Sequence, residues 1–310
     1  MSIAVLGAGR LGTTLAYCIV RKKDSKIKIT AIASPSEASI ERARDMLGDK
    51  AGNILFTSDN ARAAETADTI FICTPDDVIG QVCRQLYHKK TGPVKTVIHF
   101  SGSKPLSVLK AAREKGDHAV SIHPLKSFAS IEEAAKTLKG TEYGITFDSG
   151  EGEKKARAIV GLLEGNTIFV KDEAKPVYHA AACIASNYLV TLIDYAVTIN
   201  ERIGIEPGAS ARGLLSLVEG TVKNIKKMGT KRSLTGPIAR GDTGTIEDHL
   251  AVLDDILEEK DTEIYRIMGK KTADLALENG WIDKKTFSRL QELLSKKEKT
   301  GKEDQWKQKK

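Results

Sequence analysis

Residues 2–12 read SIAVLGAGRLG: a short apolar strand that passes without a spacer into glycines at positions 7, 9 and 12. The next residues, TTLAYCIV (13–20), have the small and apolar composition of a helix. A strand, then G-x-G-x-x-G, then a helix is the order of a dinucleotide-binding βα turn. Each glycine has a physical task in such a turn. Gly7 makes the tight bend, Gly9 lets backbone amides approach a pyrophosphate, and Gly12 lets the helix pack closely on the strand. Ala8, Arg10 and Leu11 fill the remaining places, so Gly7–Gly12 is the expected phosphate cradle. The helix N-terminus adds N–H groups and partial positive charge.

Outward from this turn, apolar strand candidates recur at 27–34, 69–75, 94–101 and 118–124, separated by amphipathic stretches such as 11–22, 36–47 and 105–116. That alternation is the sequence form of a parallel sheet covered by helices. Two further strand candidates, 143–147 and 166–170, flank a helical run and extend the sheet. After Asp172 the strand pattern stops, and helical periodicity continues to about residue 295. The fold class expected is α/β: a Rossmann, doubly wound, mostly parallel sheet over 1–171, followed by an all-α domain over 172–295 and a basic flexible tail over 296–310.

Composition narrows the function classes. The chain has 310 residues, 41% of them apolar, enough for a substantial core. Its formal charge of +7 is concentrated in the tail, where seven Lys face three acids, leaving a body of about +3. With only 5% aromatic residues and no basic stripe interleaved with them, nucleic acid is not an expected partner. Cys18, Cys73, Cys83 and Cys183 are far apart, unlike a disulfide framework or a zinc knuckle, and read as buried thiols in a reducing compartment, with no metal site. The first strand starts almost at Met1, and no run approaches the roughly 18 apolar residues of a membrane span. A cytoplasmic protein with no membrane partner is expected.

The second strand selects the cofactor. NAD enzymes usually end it with an acid that holds the ribose hydroxyls and repels a 2′-phosphate. Here the stretch is IASPSEAS, with Ser34 and Ser36 in place of an acid and Arg10 able to approach from the glycine loop, so NADP is expected. Ser36 can also cap the following helix. The strand ending in TPDD places Thr74 and Pro75 against the ribose and nicotinamide side, unless the segment is simply a helix start. HFSGSKP (99–105) sets Ser101, Gly102 and Ser103 at a strand C-terminus, where open α/β sheets bind ligands. In HPLKSFA (123–129), His123 and Lys126 occupy the equivalent place and can meet an anionic or carbonyl substrate, or anchor the loop.

Two polar constellations lie beyond the Rossmann half. YHAAACIASNYL (178–189) carries His179, Cys183, Ser186 and Asn187 within roughly 100° of helical arc, a polar stripe on an otherwise apolar helix. Hydride delivery to a carbonyl or imine leaves negative charge on oxygen or a basic nitrogen, so a donor there lowers the barrier. Histidine is the side chain suited to giving a proton at cellular pH, so His179 is expected as donor or orienter. LTGPIARGDTGTIEDHL (234–250) reads as an ordered glycine loop, with Thr245 and Asp248 as a capping box.

Together GAGRLG, TPDD, SGS, HPLKSFA, AASNYL and LTGPIARGD resemble the Rossmann-like oxidoreductases whose second domain is of the 6-phosphogluconate dehydrogenase C-terminal type. Ketopantoate reductase, pyrroline-5-carboxylate reductase and prephenate dehydrogenase belong to that wider group, and the likeness runs to about residue 290. It implies that the first long helix after the Rossmann domain points a Lys and, four residues on, an Asn at the substrate. Asn187 matches the Asn, Ser186 falls where some members have His, and the Lys position falls on Cys183. A neutral thiol cannot replace an ammonium as acid. The resemblance to ketopantoate reductases also makes Arg240, Asp242 and Glu247 counterparts of substrate or cofactor contacts.

The function expected is hydride transfer from NADP to a small carbonyl or imine compound carrying a carboxylate, by a homodimer paired through its helical domains. A non-catalytic NADP-binding regulator or scaffold is the alternative, favoured by Cys183. A deazaflavin-type reductase shares the N-terminal motifs but rarely so large a helical domain.

Overall fold

Third from one edge of the sheet lies β1 (Ser2–Leu6), hydrogen-bonded in parallel to β2 (Lys28–Ala33) on one side and β4 (Thr69–Ile72) on the other. The computed structural model describes residues 1–22, 26–87 and 92–295. β3 (Leu55–Thr57) closes one edge, and β5 (Thr96–His99), β6 (His118–Pro124), β7 (Glu142–Phe147) and β8 (Asn166–Phe169) build out the other, in the order β3-β2-β1-β4-β5-β6-β7-β8. Only β7 runs antiparallel to its neighbour β6; β8 is again parallel to β7. This is the expected mostly parallel sheet, including its two added strands. β3 was not foreseen, because three half-buried residues give too short a pattern to read. Two strands are also shorter than expected: β4 stops at Ile72 and β5 at His99, so that residues 73–77 and 100–105 are free to form loops.

Alternate residues of β1 face opposite ways. Ile3 and Val5 join a core with Phe71, Ile98, Val120 and Ile145, while Ala4 and Leu6 join a second with Ile70, Ile72 and Val97. Both faces are therefore buried, which is why these strands read as continuous apolar runs instead of alternating ones. The covering helices are α1 (Arg10–Val20), α2 (Glu37–Leu47), α3 (Asn60–Glu65), α4 (Ile79–Tyr87), α5 (Lys110–Arg113), α6 (Ile131–Lys136) and α7 (Gly150–Leu162). The long α8 (Lys175–Arg202) follows β8.

The chain divides into two compact units, Met1–Tyr188 and Leu189–Lys310. The change from strands to helices falls near residue 172, as the pattern suggested, but the first turns of α8 belong to the sheet-containing unit. The second unit contains α9 (Pro207–Ser233), α10 (Pro237–Arg240), α11 (Thr243–Ile256), α12 (Glu259–Glu278) and α13 (Lys284–Leu293). Gly229, at φ +80, breaks α9. A small core of Ile238, Ile246, Leu250, Ala273, Ala276, Leu290 and Leu294 holds the shorter helices together. The cap of α11 is Asp242, whose carboxylate accepts from the Thr245 amide at 3.1 Å and the Thr245 hydroxyl at 2.7 Å. This corrects the Thr245–Asp248 capping box: the helix begins three residues earlier, at Thr243 instead of Ile246, so Thr245 already lies inside it. The tail 296–310 lies outside the described residues.

One expectation about membranes is also corrected. The segment Asp172–Arg202 is long and apolar enough to cross a membrane by length and composition, with mean hydropathy 1.4 in its most apolar window. On α8, Val177 is 76% exposed, Ile184 62%, Tyr188 58% and Val190 68%. Small residues and scattered polar ones such as His179 and Asn187 disguised the apolar character of this helix in the sequence.

Phe71 is fully buried and meets Phe100 edge-to-face at 4.9 Å between ring centroids. Phe71→Ala is expected to cost about 3–5 kcal/mol of unfolding free energy, read from urea denaturation followed by circular dichroism.

Candidate active site

Because β1 pairs with both β2 and β4, the direction in which strands are added reverses beside it. A crevice opens there at the strand C-termini, the place where doubly wound sheets hold ligands. Gly7, at φ +112, turns the chain out of β1, and a Cβ there would stand 2.6 Å from the Cys73 carbonyl oxygen. A Cβ on Gly12 would stand 2.1 Å from the Gly7 carbonyl oxygen. Gly9 differs, since nothing lies within 4 Å of its missing Cβ. Gly9 is also the N-cap of α1 and brings no side-chain cap, so the first amides of the helix are left to a ligand. Opposite, the Thr74 hydroxyl is buried without a hydrogen-bond partner among the described residues. An open glycine, an uncapped helix start and an orphaned hydroxyl fit a dinucleotide phosphate cradle.

At the end of β2, the buried Ser34 accepts the Ser36 amide at 3.3 Å, and Ser36 caps α2 by accepting the Ser39 amide at 3.3 Å. The capping role of Ser36 is thus realised. Arg10 is exposed on the loop. A second arginine was missed from the sequence: Arg42 Nη2 donates to Ser39 Oγ at 3.1 Å and reaches the Ala8 carbonyl oxygen at 3.4 Å. Its spacing of three from Ser39 on one helix was the available signal.

Beyond β4 and β5 a polar network links the strand ends. Asp76 accepts from Ser101 Oγ at 2.6 Å and from Ser103 Oγ at 3.1 Å, while Ser101 Oγ accepts the amides of Ser103 and Lys104. Ser101 therefore organises its loop. Its carbonyl oxygen accepts from Lys175 Nζ at 3.0 Å, and the same ammonium donates to Ser121 Oγ at 2.6 Å. Lys175 is only 1% exposed. Gly102 passes beneath two imidazoles: a Cβ on it would stand 2.5 Å from His179 Cδ2 and 2.8 Å from His123 Cε1. The two rings lie edge to face at 5.7 Å, His123 Nδ1 is 3.3 Å from the Tyr178 hydroxyl, and His179 Nδ1 is 3.8 Å from Cys183 Sγ.

With this geometry in view, comparison with known proteins is informative. The family described as NADP oxidoreductase, coenzyme F420-dependent, matches residues 2–101, and a domain of unknown function, DUF2520, matches residues 142–272. The chain joins an NADP-oxidoreductase-type domain to a DUF2520 domain. The resemblance carried by its motifs is borne out at this level. Protein TM1727 of Thermotoga maritima is 26% identical, over 90% of this chain and 100% of that one, with a TM-score of 0.70. A Bacteroides fragilis protein, BF3122, assigned by inference as an NADP oxidoreductase, is 21% identical over 88% and 98%, with a TM-score of 0.69. The pyrroline carboxylate reductase of Plasmodium falciparum, solved with NADP bound, shares the fold at 15% identity over 95% and 98%, with a TM-score of 0.56. No curated protein matches the chain. NADP is the cofactor for which the crevice is built, and the general kind of protein is an NAD(P)-dependent oxidoreductase.

In the oxidoreductase-type domain, then, the structure brings together the glycine loop, Ser34, Ser36 and Thr74 on one side, and Ser101, Gly102, His123, His179 and Cys183 on the other. Pro75 leads directly into Asp76. Lys126 is half-buried at the rim of the loop after β6. Ser186 and Asn187 lie about two turns farther along α8 and are exposed. In the second unit, Asp242 is spent on its cap, Glu247 pairs with Arg289 at 2.5 Å, and Arg240 ends α10. Among the cysteines Cys83 alone is buried; Cys18, Cys73 and Cys183 are half-buried, which corrects the expectation that all four are interior. The sequence reading found no ammonium on the polar stripe, yet Lys175 opens the same helix two turns before Cys183. A lysine placed four residues before His179 was the signal that could have revealed it.

Burial sets the charge states. It pushes Lys175 down to about 8, against the opposing pull of Asp172 and Asp76. It pushes His99 down to about 3, helped by Lys175 and His123. His123 falls to about 4 through burial, then through His179 and Lys175, with Asp76 opposing. Near neutral pH the cluster therefore holds one cation at Lys175 and neutral rings at 99 and 123. Because the unfolded chain takes up these protons near the ordinary histidine value, the stabilisation is full above about pH 6.5 and is lost as pH falls toward 4 and then 3. His99→Asn keeps an acceptor where Nδ1 takes the Ser101 amide at 3.2 Å. Urea midpoints at pH 7.5 and 5 should differ less in this variant than in the parent chain.

Arg42 supplies the cofactor prediction. Arg42→Ala should weaken NADPH binding about tenfold and leave NADH binding nearly unchanged, as measured by fluorescence titration with both nucleotides.

Proposed function

We propose that the protein is an NADP-dependent oxidoreductase that delivers hydride to a small carbonyl or imine compound carrying a carboxylate. The observation that carries this reading is the contiguity of the glycine crevice with the Asp76–Ser101 network and the His123–His179 pair on the strand C-termini. When bound, NADPH supplies the hydride. The chain's own residues supply the rest: His179 donates or orients a proton at the reduced atom, Asn187 positions the substrate through its amide, and Ser186 assists it. Lys126 and the buried Lys175 favour an anionic substrate, and Cys183 lines the approach to His179.

Arg240, Asp242 and Glu247 enter as substrate contacts only through the resemblance to ketopantoate reductases, and the capping by Asp242 and the pairing of Glu247 offer local reasons for two of them. The exposed apolar side chains of α8 support a homodimer, since a second copy of the same helix is the partner that would withdraw them from water. A cytoplasmic setting accords with four unpaired thiols.

The second reading is a regulator or scaffold that binds NADP without turnover, and Cys183 at the place of the relatives' lysine favours it. NADPH oxidation with a panel of small carboxylated carbonyl and imine compounds separates the two. A reductase consumes NADPH with at least one compound, and Asn187→Ala raises KM or lowers kcat by about tenfold or more. NADPH binding with no turnover across the panel would establish the regulator instead.

A further inference from the structure

β6 and β7 run antiparallel with His123 opposite Gly144. The missing side chain of Gly144 makes room for the Tyr178 phenol, since a Cβ there would stand 2.5 Å from its oxygen. The phenol lies 3.3 Å from His123 Nδ1, and a phenol that donates there makes Nδ1 the acceptor. A neutral imidazole that accepts at Nδ1 carries its own hydrogen at Nε2. The Cε1–Nε2 edge of His123 lies over Gly102, at 2.8 and 2.9 Å from the place of a Cβ, and beside the His179 ring. The aligned donor is thus held over a bare glycine, in the loop that Asp76 ties to the end of β4.

We propose that the Tyr178 phenol donates to Nδ1 of His123, that the Nε2–H this leaves is the hydrogen-bond donor to the oxygen of a carbonyl substrate, and that the site accordingly takes carbonyl compounds and not protonated cyclic imines. This rests on the reductase reading and chooses between the two substrate classes it leaves open. A carbonyl oxygen has lone pairs to accept from Nε2–H, and gains negative charge as the C=O π pair moves onto it when the carbon receives hydride. The new alkoxide then takes a proton from His179, which is recharged from solvent, to give the alcohol and oxidised cofactor. A protonated imine has no free lone pair for Nε2–H, and its positive charge is disfavoured by the Lys175 ammonium. Tyr178 and Lys175 are positioning residues in this scheme, the first fixing the tautomer and the second keeping the ring uncharged.

Two measurements test it. Nitrogen-15 spectra of the full chain, without nucleotide, should show His123 as the Nε2–H tautomer from pH 6 to 8, and Tyr178→Phe should release the other tautomer. An Nδ1–H ring in the parent chain would overturn the proposal whatever the protein catalyses. NADPH oxidation is then compared for 2-oxo acids and for 1-pyrroline-type imines. The expected result is turnover of the oxo acids alone, with kcat lowered about 100-fold in His123→Ala and less in His123→Gln, which retains an N–H donor. Turnover of imines, alone or equally with oxo acids, overturns this proposal but leaves the reductase reading intact. NADPH binding without turnover of either class removes both.

Discussion

One buried ammonium organises the cluster at the strand C-termini. Lys175 stands at the first turn of α8, donates to the carbonyl of Ser101 and to the hydroxyl of Ser121, and so ties the helix to the ends of β5 and β6. Removing a lysine from water costs several kcal/mol unless its hydrogens find acceptors and its charge finds partners. Here both conditions are met, by the two oxygens and by the carboxylates of Asp76 and Asp172. Asp172 is itself anchored, accepting the Leu106 amide at 2.7 Å. Because this arrangement is costly to break, the loop carrying Gly102 and the helix carrying Tyr178 and His179 keep one mutual placement, and the site inherits it.

The charge distribution follows from the same burial. A cation in the interior suppresses protonation of its neighbours, and His99 and His123 accordingly remain uncharged where a solvent-exposed histidine would be half protonated. A neutral imidazole is a directional donor and acceptor, which a charged ring is not. The ring residues and the ammonium thus divide their roles by environment: His123 is directional, Tyr178 orients, and Lys175 holds the loops and adds to the field. His99 Nε2 is buried without a hydrogen-bond partner among the described residues.

The apolar surface of α8 is governed by a different constraint. An aliphatic helix with most of its side chains in water gains strongly from any apolar cover, at about 25 cal/mol per Å² withdrawn from solvent. Its length would suit a bilayer, but its first turn is locked into the sheet-containing unit by Lys175, and polar side chains recur along it. The same helix therefore carries two distinct properties: a polar stripe at its start, facing the strand ends, and an apolar exterior along its length.

Much of this was legible in the residues themselves. The order strand, glycine loop, helix is a local pattern whose steric logic needs no distant partner, and the structure reproduces it: Gly7 takes a left-handed φ and Gly12 abuts the Gly7 carbonyl. The doubly wound sheet was equally readable, because strands buried on both faces leave continuous apolar runs, whereas the three residues of β3 leave almost none. Ser101, Gly102, His123 and His179 were each recognisable by position at a strand end or on the polar stripe. What only the tertiary structure decided was which of them meet. Lys175 is remote in sequence from Ser101 and Ser121, and Arg42 from Ala8; no periodicity links them, since closing such loops is a property of the packed fold and not of the local chain. Nor could spacing reveal that Asp242 caps α11, or that one phenol stands beside Nδ1 of His123, because hydrogen-bond partners are chosen by the packed fold. Local chemistry is written residue by residue, but electrostatics and hydrogen-bond direction belong to the assembled interior.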